Sequence, residues 1–252
     1  MIWSCREWFR FSCGLSLGWA FGLAGCRTSE LPTVNPDKYE GRTIKVACVG
    51  DSITFGAGVE DREKNCYPAK LGDYLGSSYQ VKNFGRSGAT LQKSGDLPYW
   101  TTEEFAAADS FQPDVVIILL GTNDTKSQNW QDSARFNRDF NDLIEHYRAL
   151  KSRPKVRVCT PVPVYKTNFG INQETLDAGV IPALMDVCGR HKIPVIDLND
   201  TLTGHPEFFP DGVHPNAAGA ELMARTIVDA ISLRGINRGQ HREIIYPGQE
   251  LR

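Results

Sequence analysis

Ser52 follows Gly50 and Asp51 at the end of a run rich in β-branched residues, Thr43 to Val49. Such a run reads as a strand, and its nearly unbroken apolar end suits the middle of a parallel sheet. A serine just past the carboxyl end of a strand faces the crevice where open α/β sheets carry their chemistry. Its Oγ can attack a carbonyl carbon if a base lies within reach. The position also suits a helix cap, where Asp and Ser are favoured, and this stretch alone leaves both readings open. A base is offered far along the chain by Phe209-Pro210-Asp211-Gly212-Val213-His214-Pro215-Asn216. The spacing of Asp211 and His214 across a turn lets the carboxylate reach Nδ1–H, fix the tautomer and leave Nε2 as the base. Pro215 suits the first position of a helix, and by itself the pair is equally a helix-start turn with a capping Asp. Two further strand ends carry Gly85-Arg86-Ser87-Gly88-Ala89-Thr90 and Gly121-Thr122-Asn123-Asp124. Gly88 and Asn123 are candidates for hydrogen-bond donors to an oxygen that gains negative charge.

Positioning these residues requires strands that end on one edge. Tyr79–Phe84 alternates, as a strand nearer a sheet edge does. Val115–Leu120 is the most apolar run and reads as a central buried strand. Lys155–Pro161 and Pro194–Leu198 supply two more, making five with the first. Between them lie helical patterns at Tyr67–Leu75, stopped by Gly76, and at Thr101–Phe111, Gln131–Leu150 and Glu174–His191. Phe136, Phe140, Leu143, Ile144 and Tyr147 recur at helical spacing and read as core. Ala217–Leu233 closes the pattern, with Leu222, Ile227 and Ile231 towards the sheet. Asp61–Asn65 reads as a polar loop and Val162–Asn172 as a Pro-containing one. Strand and helix alternation predicts an α/β fold: one three-layer α/β/α domain over 42–238, with a five-stranded parallel sheet and right-handed crossovers.

With 41% hydrophobic and 23% charged residues, the 252-residue chain can bury a sizeable core. A net charge of −2 and a pI near 6.2 provide no basic field for nucleic acid, so none is expected as a partner. Arg6 and Arg10 precede an uncharged stretch, Phe11–Cys26, that is short for a membrane span of about 20 apolar residues and has the layout of a secretory signal. It closes on Leu23-Ala24-Gly25-Cys26, which resembles the lipobox of bacterial lipoproteins. That resemblance implies cleavage before Cys26 and lipidation of its thiol; the alternative is an uncleaved anchor helix. Either way the chain is expected to be exported and held at a membrane of the bacterial cell envelope. Residues 27–41 read as a tether and 239–252 as a polar tail without assignable role. Cys48 and Cys159 lie in strand-like runs and Cys188 in a helical one, so buried free thiols are expected, and the absence of a Cys-x-x-Cys pair leaves zinc without support.

Gly50-Asp51-Ser52-Ile53, Ser87-Gly88-Ala89-Thr90, Gly121-Thr122-Asn123-Asp124 and Asp211-Gly212-Val213-His214-Pro215 resemble, in order and spacing, the four motif blocks of the SGNH (GDSL) hydrolase superfamily. The resemblance covers essentially the whole domain and implies a flavodoxin-like fold. It implies Ser52 as nucleophile, His214 as general base and then acid, and Asp211 orienting His214. The N–H groups of Ser52 and Gly88 and the Asn123 amide would form the oxyanion hole. No metal and no cofactor are required. The implied reaction is hydrolysis of a small acyl ester through an acyl-enzyme. Export and the look of the motifs resemble the carbohydrate-deacetylating branch, sialate and xylan acetylesterases, so the expected partner is a small-molecule or polysaccharide ester. Lysophospholipase or acyl-thioesterase activity is the enzymatic alternative, and a carbohydrate-binding protein without turnover the other. The filled triad positions argue against the latter.

Gly56-Ala57-Gly58 imitates half of a dinucleotide fingerprint, but Asp61 stands where its third glycine belongs. Asp51 has two readings, a helix-start partner for backbone N–H groups or a support behind the oxyanion loop, and the first is preferred. His146, His191 and His205 read as surface or helix-end residues, and Arg86, in the second block, as a solvated cation with reception of an acidic substrate as the alternative. Tyr67, Tyr99, Trp100, Trp130, Phe208 and Phe209 lie near or between the motif blocks and could stack on sugar rings, several of them being core or rim packing instead. Gly58–Tyr67 and Thr125–Gln131 could shape a pocket wall.

Overall fold

The computed structural model describes residues 39 and 41–231. The signal-like stretch with Cys26, nearly all of the tether, residues 232–238 and the polar tail therefore lie outside the described residues. Five strands, β1 (Ile44–Gly50), β2 (Tyr79–Gly85), β3 (Val115–Leu119), β4 (Lys155–Cys159) and β5 (Val195–Ile196), form one parallel sheet in the order β2-β1-β3-β4-β5. Around it lie α1 (Ser52–Phe55), α2 (Arg62–Asn65), α3 (Tyr67–Leu75), α4 (Glu103–Phe111), α5 (Ser133–Arg148), α6 (Gln173–Thr175), α7 (Ile181–His191), α8 (Leu198–Leu202) and α9 (Ala217–Ile231).

The unbroken apolar run of β3 is explained by helices on both of its faces. Val116 and Ile118 point into one core with Phe136, Phe140 and Ile144 of α5 and Leu184 and Val187 of α7. Val115, Ile117 and Leu119 point into the other with Tyr67 and Leu71 of α3 and Met223 and Ile227 of α9. The architecture is thus the expected three-layer α/β/α sandwich. β2 is an edge strand in which half-buried Tyr79, Val81 and Asn83 alternate with exposed Gln80 and Lys82 until Phe84 is buried, as its pattern predicts. Cys48, Cys66, Cys159 and Cys188 are buried free thiols, and burial pushes Cys188 up to about 12.

Three segments differ from their sequence reading. Asp61–Asn65 is not a loop: Asp61 enters the left-handed region at φ 47° and its carbonyl accepts from Lys64 and Asn65 N–H, starting α2. β5 has two residues rather than five, because the Asp197 carboxylate accepts from Asp200 N–H at 3.0 Å and from Thr160 Oγ at 2.9 Å, capping α8 where the strand would continue. The run Glu174–His191 is divided by a π-helical turn, Leu176–Val180, just before Pro182. Proline lacks an N–H and crowds the carbonyl four residues back, and the wider turn relieves both. Among the described residues no helix is long and apolar enough to cross a membrane.

Candidate active site

β1 leaves the sheet at Gly50, which is level with Gly85 of β2 and Leu119 of β3. A Cβ on Gly50 would overlap Thr54 Oγ and come within 2.5 Å of the Leu119 carbonyl, and one on Gly85 would collide with the Phe55 amide. Glycine at both places lets α1 press directly on the strand ends. Asp51 caps this short helix, its Oδ1 accepting from Ile53 N–H at 3.0 Å. The cap and the nucleophile of the sequence reading are therefore different residues. Asp51 serves the backbone, and Ser52, nearly buried, turns its Oγ to His214 Nε2 at 2.9 Å.

His214 Nδ1 lies 2.7 Å from Asp211 Oδ2, so the tautomer protonated at Nδ1 leaves Nε2 free to accept from Ser52. Asp211 Oδ1 accepts from Val213 N–H at 2.8 Å and His214 N–H at 2.7 Å, which makes the turn and aims the imidazole with one carboxylate. Asp211 holds the turn but does not cap the helix: α9 begins at Ala217, and Asn216 Oδ1 accepts from Gly219 N–H at 3.1 Å, so Pro215 lies before the helix rather than at its first position. Burial pushes the Asp211 carboxyl upward, but the hydrogen bonds from the His214 backbone, the imidazole and Val213 outweigh it and hold the group below its ordinary value. Gly212 sits at φ +84°, and a Cβ there would come within 2.9 Å of Lys166 N, so only glycine passes. Gly56, at φ +93°, ends α1, and the Cβ position of Gly58 lies 3.5 Å from His214 Cβ. The glycine pair set aside as a nucleotide fingerprint thus carries the chain past the imidazole.

The other two strand ends are tied to each other. Asn123 is buried, and its Nδ2 donates to the Ala89 carbonyl at 3.1 Å, next to Gly88 at φ +85°. An amide nitrogen carries two hydrogens, so this bond uses one. Asp124 accepts from Leu91 and Gln92 N–H, each at 2.8 Å, and Asn129 Nδ2 donates to the Asn123 carbonyl at 2.9 Å. Burial raises both Asp51 and Asp124 to about 6. The sequence gives Asp124 only its place in the third motif block and gives Asn129 no signal, because their partners lie in the second block's turn and at Asp96. Among the described residues, no protein acceptor takes the N–H of Ser52 or of Gly88. The Ser52 hydroxyl thus has an acceptor for its proton, and its own N–H is free of a protein acceptor among the described residues. A hydroxyl with a base in reach can add to an ester carbonyl.

Other candidates lie elsewhere. His146 bonds Asp109 at 2.9 Å, His191 bonds Asn141 at 2.7 Å, and His205 bonds Glu207 at 2.9 Å. Arg86 faces Glu104 at 3.4 Å. Tyr67, Tyr99 and Phe209 are core, Trp100 donates to the Leu91 carbonyl at 3.0 Å, Trp130 packs on Phe136 and Gly179, and Phe208 stacks on His205. The aromatic ring beside the triad is instead Phe169, in the Val162–Asn172 loop, with its centroid 5.5 Å from that of His214.

Among known proteins the chain is similar to an acetylxylan esterase of Xylanibacter ruminicola, with 38% identity over 206 residues, 75% of this chain and 43% of that protein. It is also similar to a multidomain esterase of Ruminococcus flavefaciens, 22% identical over 93% of this chain and 35% of that one. The chain therefore spans less than half the length of these relatives. In fold it is similar to the carbohydrate acetylesterase Est24 of Sinorhizobium meliloti, with a TM-score of 0.63 and 22% identity, covering 74% of this chain and 97% of that one. Residues 48–222, well over half of the chain, match the family model described as GDSL-like lipase/acylhydrolase. That span contains Ser52, Gly88, Asn123, Asp211 and His214, and the chain belongs to the GDSL-like lipase/acylhydrolase family.

Proposed function

We propose that the protein is a serine esterase that removes acetyl groups from carbohydrates, with Ser52, His214 and Asp211 as its triad. The observation that carries this reading is the continuous hydrogen-bonded path from Asp211 Oδ2 through His214 to Ser52 Oγ, at 2.7 and 2.9 Å. Ser52 Oγ attacks the ester carbonyl carbon while its proton passes to His214 Nε2. The carbonyl oxygen becomes an oxyanion that accepts from the N–H groups of Ser52 and Gly88 and the second hydrogen of Asn123 Nδ2. Collapse breaks the bond to the alcohol oxygen, which takes the proton from His214 and leaves the acetyl group on Ser52. Water then gives a proton to His214, attacks the acyl carbon, and the second collapse returns the proton to Ser52 Oγ and releases acetate. Asp211 stabilises the imidazolium in both halves without becoming protonated.

The identity to an acetylxylan esterase supports an acetyl group on a sugar as substrate. A series of aryl esters from acetyl to decanoyl, followed by acetylated xylan, tests it. kcat/KM should fall as the acyl chain lengthens, and xylan should release acetate in an amount abolished by Ser52→Ala. A rise in kcat/KM towards octanoyl and beyond would overturn the acetyl reading in favour of a lipid-directed one. The Leu23-Ala24-Gly25-Cys26 stretch supports an exported protein held at the cell envelope through a lipid on Cys26. Cys26→Ala should move the protein from the detergent phase to the aqueous phase or leave it unprocessed, and unchanged partitioning would refute the anchor.

A further inference from the structure

Phe169 combines three properties that its environment does not explain through stability. It is an exposed large aromatic, 60% accessible. Its backbone is left-handed, at φ +53°, followed by Gly170 at φ +78°. Asn168 and Ile171 close the turn reciprocally, Ile171 N–H donating to Asn168 O at 2.8 Å and Asn168 N–H to Ile171 O at 3.3 Å. Two consecutive positive φ values inside such a closure are the mark of a type I′ turn, whose first central position favours Asn, Asp or Gly. A bulky residue there is an outlier, and burial does not compensate this one. The turn is nevertheless clamped. Asn168 Nδ2 donates to the Asp211 carbonyl at 3.1 Å, Asn168 Oδ1 accepts from Phe169 N–H at 3.0 Å, and Asn172 Nδ2 donates to Thr125 O at 2.8 Å. Strain maintained by surrounding bonds is concentrated at sites where it has a use.

We propose that Phe169 is the platform on which the sugar bearing the scissile acetyl group rests, a specificity-determining residue of the proposed deacetylase; the inference rests on that reading. The ring packs at 54° on the imidazole of His214, 5.5 Å between centroids. His214 Nε2 hands its proton to the leaving alcohol, so the alcohol oxygen must come within hydrogen-bond distance of that atom. The pyranose carrying this oxygen is then within reach of the Phe169 face. A sugar presents C–H groups on one face, which suit an aromatic surface, and its hydroxyls remain in water at an exposed ring. The left-handed backbone supplies a direction for the side chain that an ordinary turn residue would not give.

The test is Phe169→Asn, which suits the turn and removes the ring, with Phe169→Trp as rescue. An acetylated methyl xyloside is compared with methyl acetate, which has no ring in its alcohol. In Phe169→Asn the ratio of kcat/KM for the xyloside to that for methyl acetate should fall about 3- to 10-fold, mainly through KM. Its melting temperature should be no lower than that of the unsubstituted protein, and Phe169→Trp should restore the ratio. An unchanged ratio, or equal losses on both esters with a displaced pH profile, would overturn the proposal and make Phe169 a support for His214. An unsubstituted enzyme that cleaves methyl acetate and no acetylated sugar would overturn the carbohydrate reading itself, which the comparison reveals before any variant is made.

Discussion

Asn123→Ala separates catalysis from turn-holding, because Asn123 holds Ala89 and is also the proposed side-chain donor to the oxyanion. The substitution deletes the donor proposed for the oxyanion and the bond from Nδ2 to the Ala89 carbonyl at 3.1 Å. Loss of an oxyanion-hole donor costs about 100- to 1,000-fold in kcat, with little change in KM because the donor acts mainly in the transition state. Leaving the buried Ala89 carbonyl unpaired costs about 1–3 kcal/mol. For a domain of this size that lowers the melting temperature by about 2–12 °C. Asn129→Ala supplies the calibration. Asn129 makes three side-chain bonds in the same network, to the Asn123 carbonyl at 2.9 Å and to Asp96 at 3.0 and 2.8 Å, and none towards Ser52. Its loss should lower the melting temperature at least as much while reducing kcat far less. Steady-state hydrolysis of an aryl acetate at 25 °C, with thermal unfolding of both variants, gives the four numbers required. If kcat falls no further in Asn123→Ala than in Asn129→Ala, Asn123 is a turn residue and the oxyanion hole consists of backbone N–H groups alone.

Ser52→Ala and His214→Ala should each lower kcat about a millionfold, and the double variant should be little worse, because the two act as a unit. Asp211→Asn should cost about 10⁴-fold through the wrong tautomer of His214, with the steady-state rate of each variant as the measure. Burial raises Asp51 from 3.8 to about 6, so between those values the folded protein holds a proton that the unfolded chain has released. This contribution therefore strengthens as pH falls from about 6 to about 4, by an amount on the order of 3 kcal/mol. Asp51→Asn keeps a good cap and does not titrate. Its urea-unfolding free energy, subtracted from that of the unsubstituted protein, should shrink in magnitude across this window, and a flat difference would refute the assignment.

The strand ends were legible because their signals are local and strong. The continuous apolar run before Gly121 must be a buried parallel strand, and the β-branched run before Gly50 must be its neighbour in kind. Asp211 and His214 could be paired because a turn brings positions three apart together. Other features depend on partners distant in sequence. Asp197 ends β5 early only because Thr160 and α8 draw its carboxylate. Which of the loop aromatics were core and which rim was not legible: Tyr99 is buried with its hydroxyl on Phe84 O at 2.7 Å, whereas Trp100 is half-buried with its indole on Leu91 O. Phe169 was missed for the opposite reason. Phenylalanine does not announce a left-handed backbone, and the clamp that imposes it comes from Asp211 and Thr125.

The bond between Ser52 and His214 spans 162 residues, whereas that between Asn123 and Ala89 spans 34. Closing the longer loop costs about 1.4 kcal/mol more chain entropy by logarithmic scaling. The residues proposed to hold the oxyanion all lie in the first half of the chain, Ser52 to Asn123, whereas the base comes from His214, just before α9. Turnover should therefore need both closures, and recovered hydrolytic activity reports the Ser52–His214 contact as well as formation of the sheet.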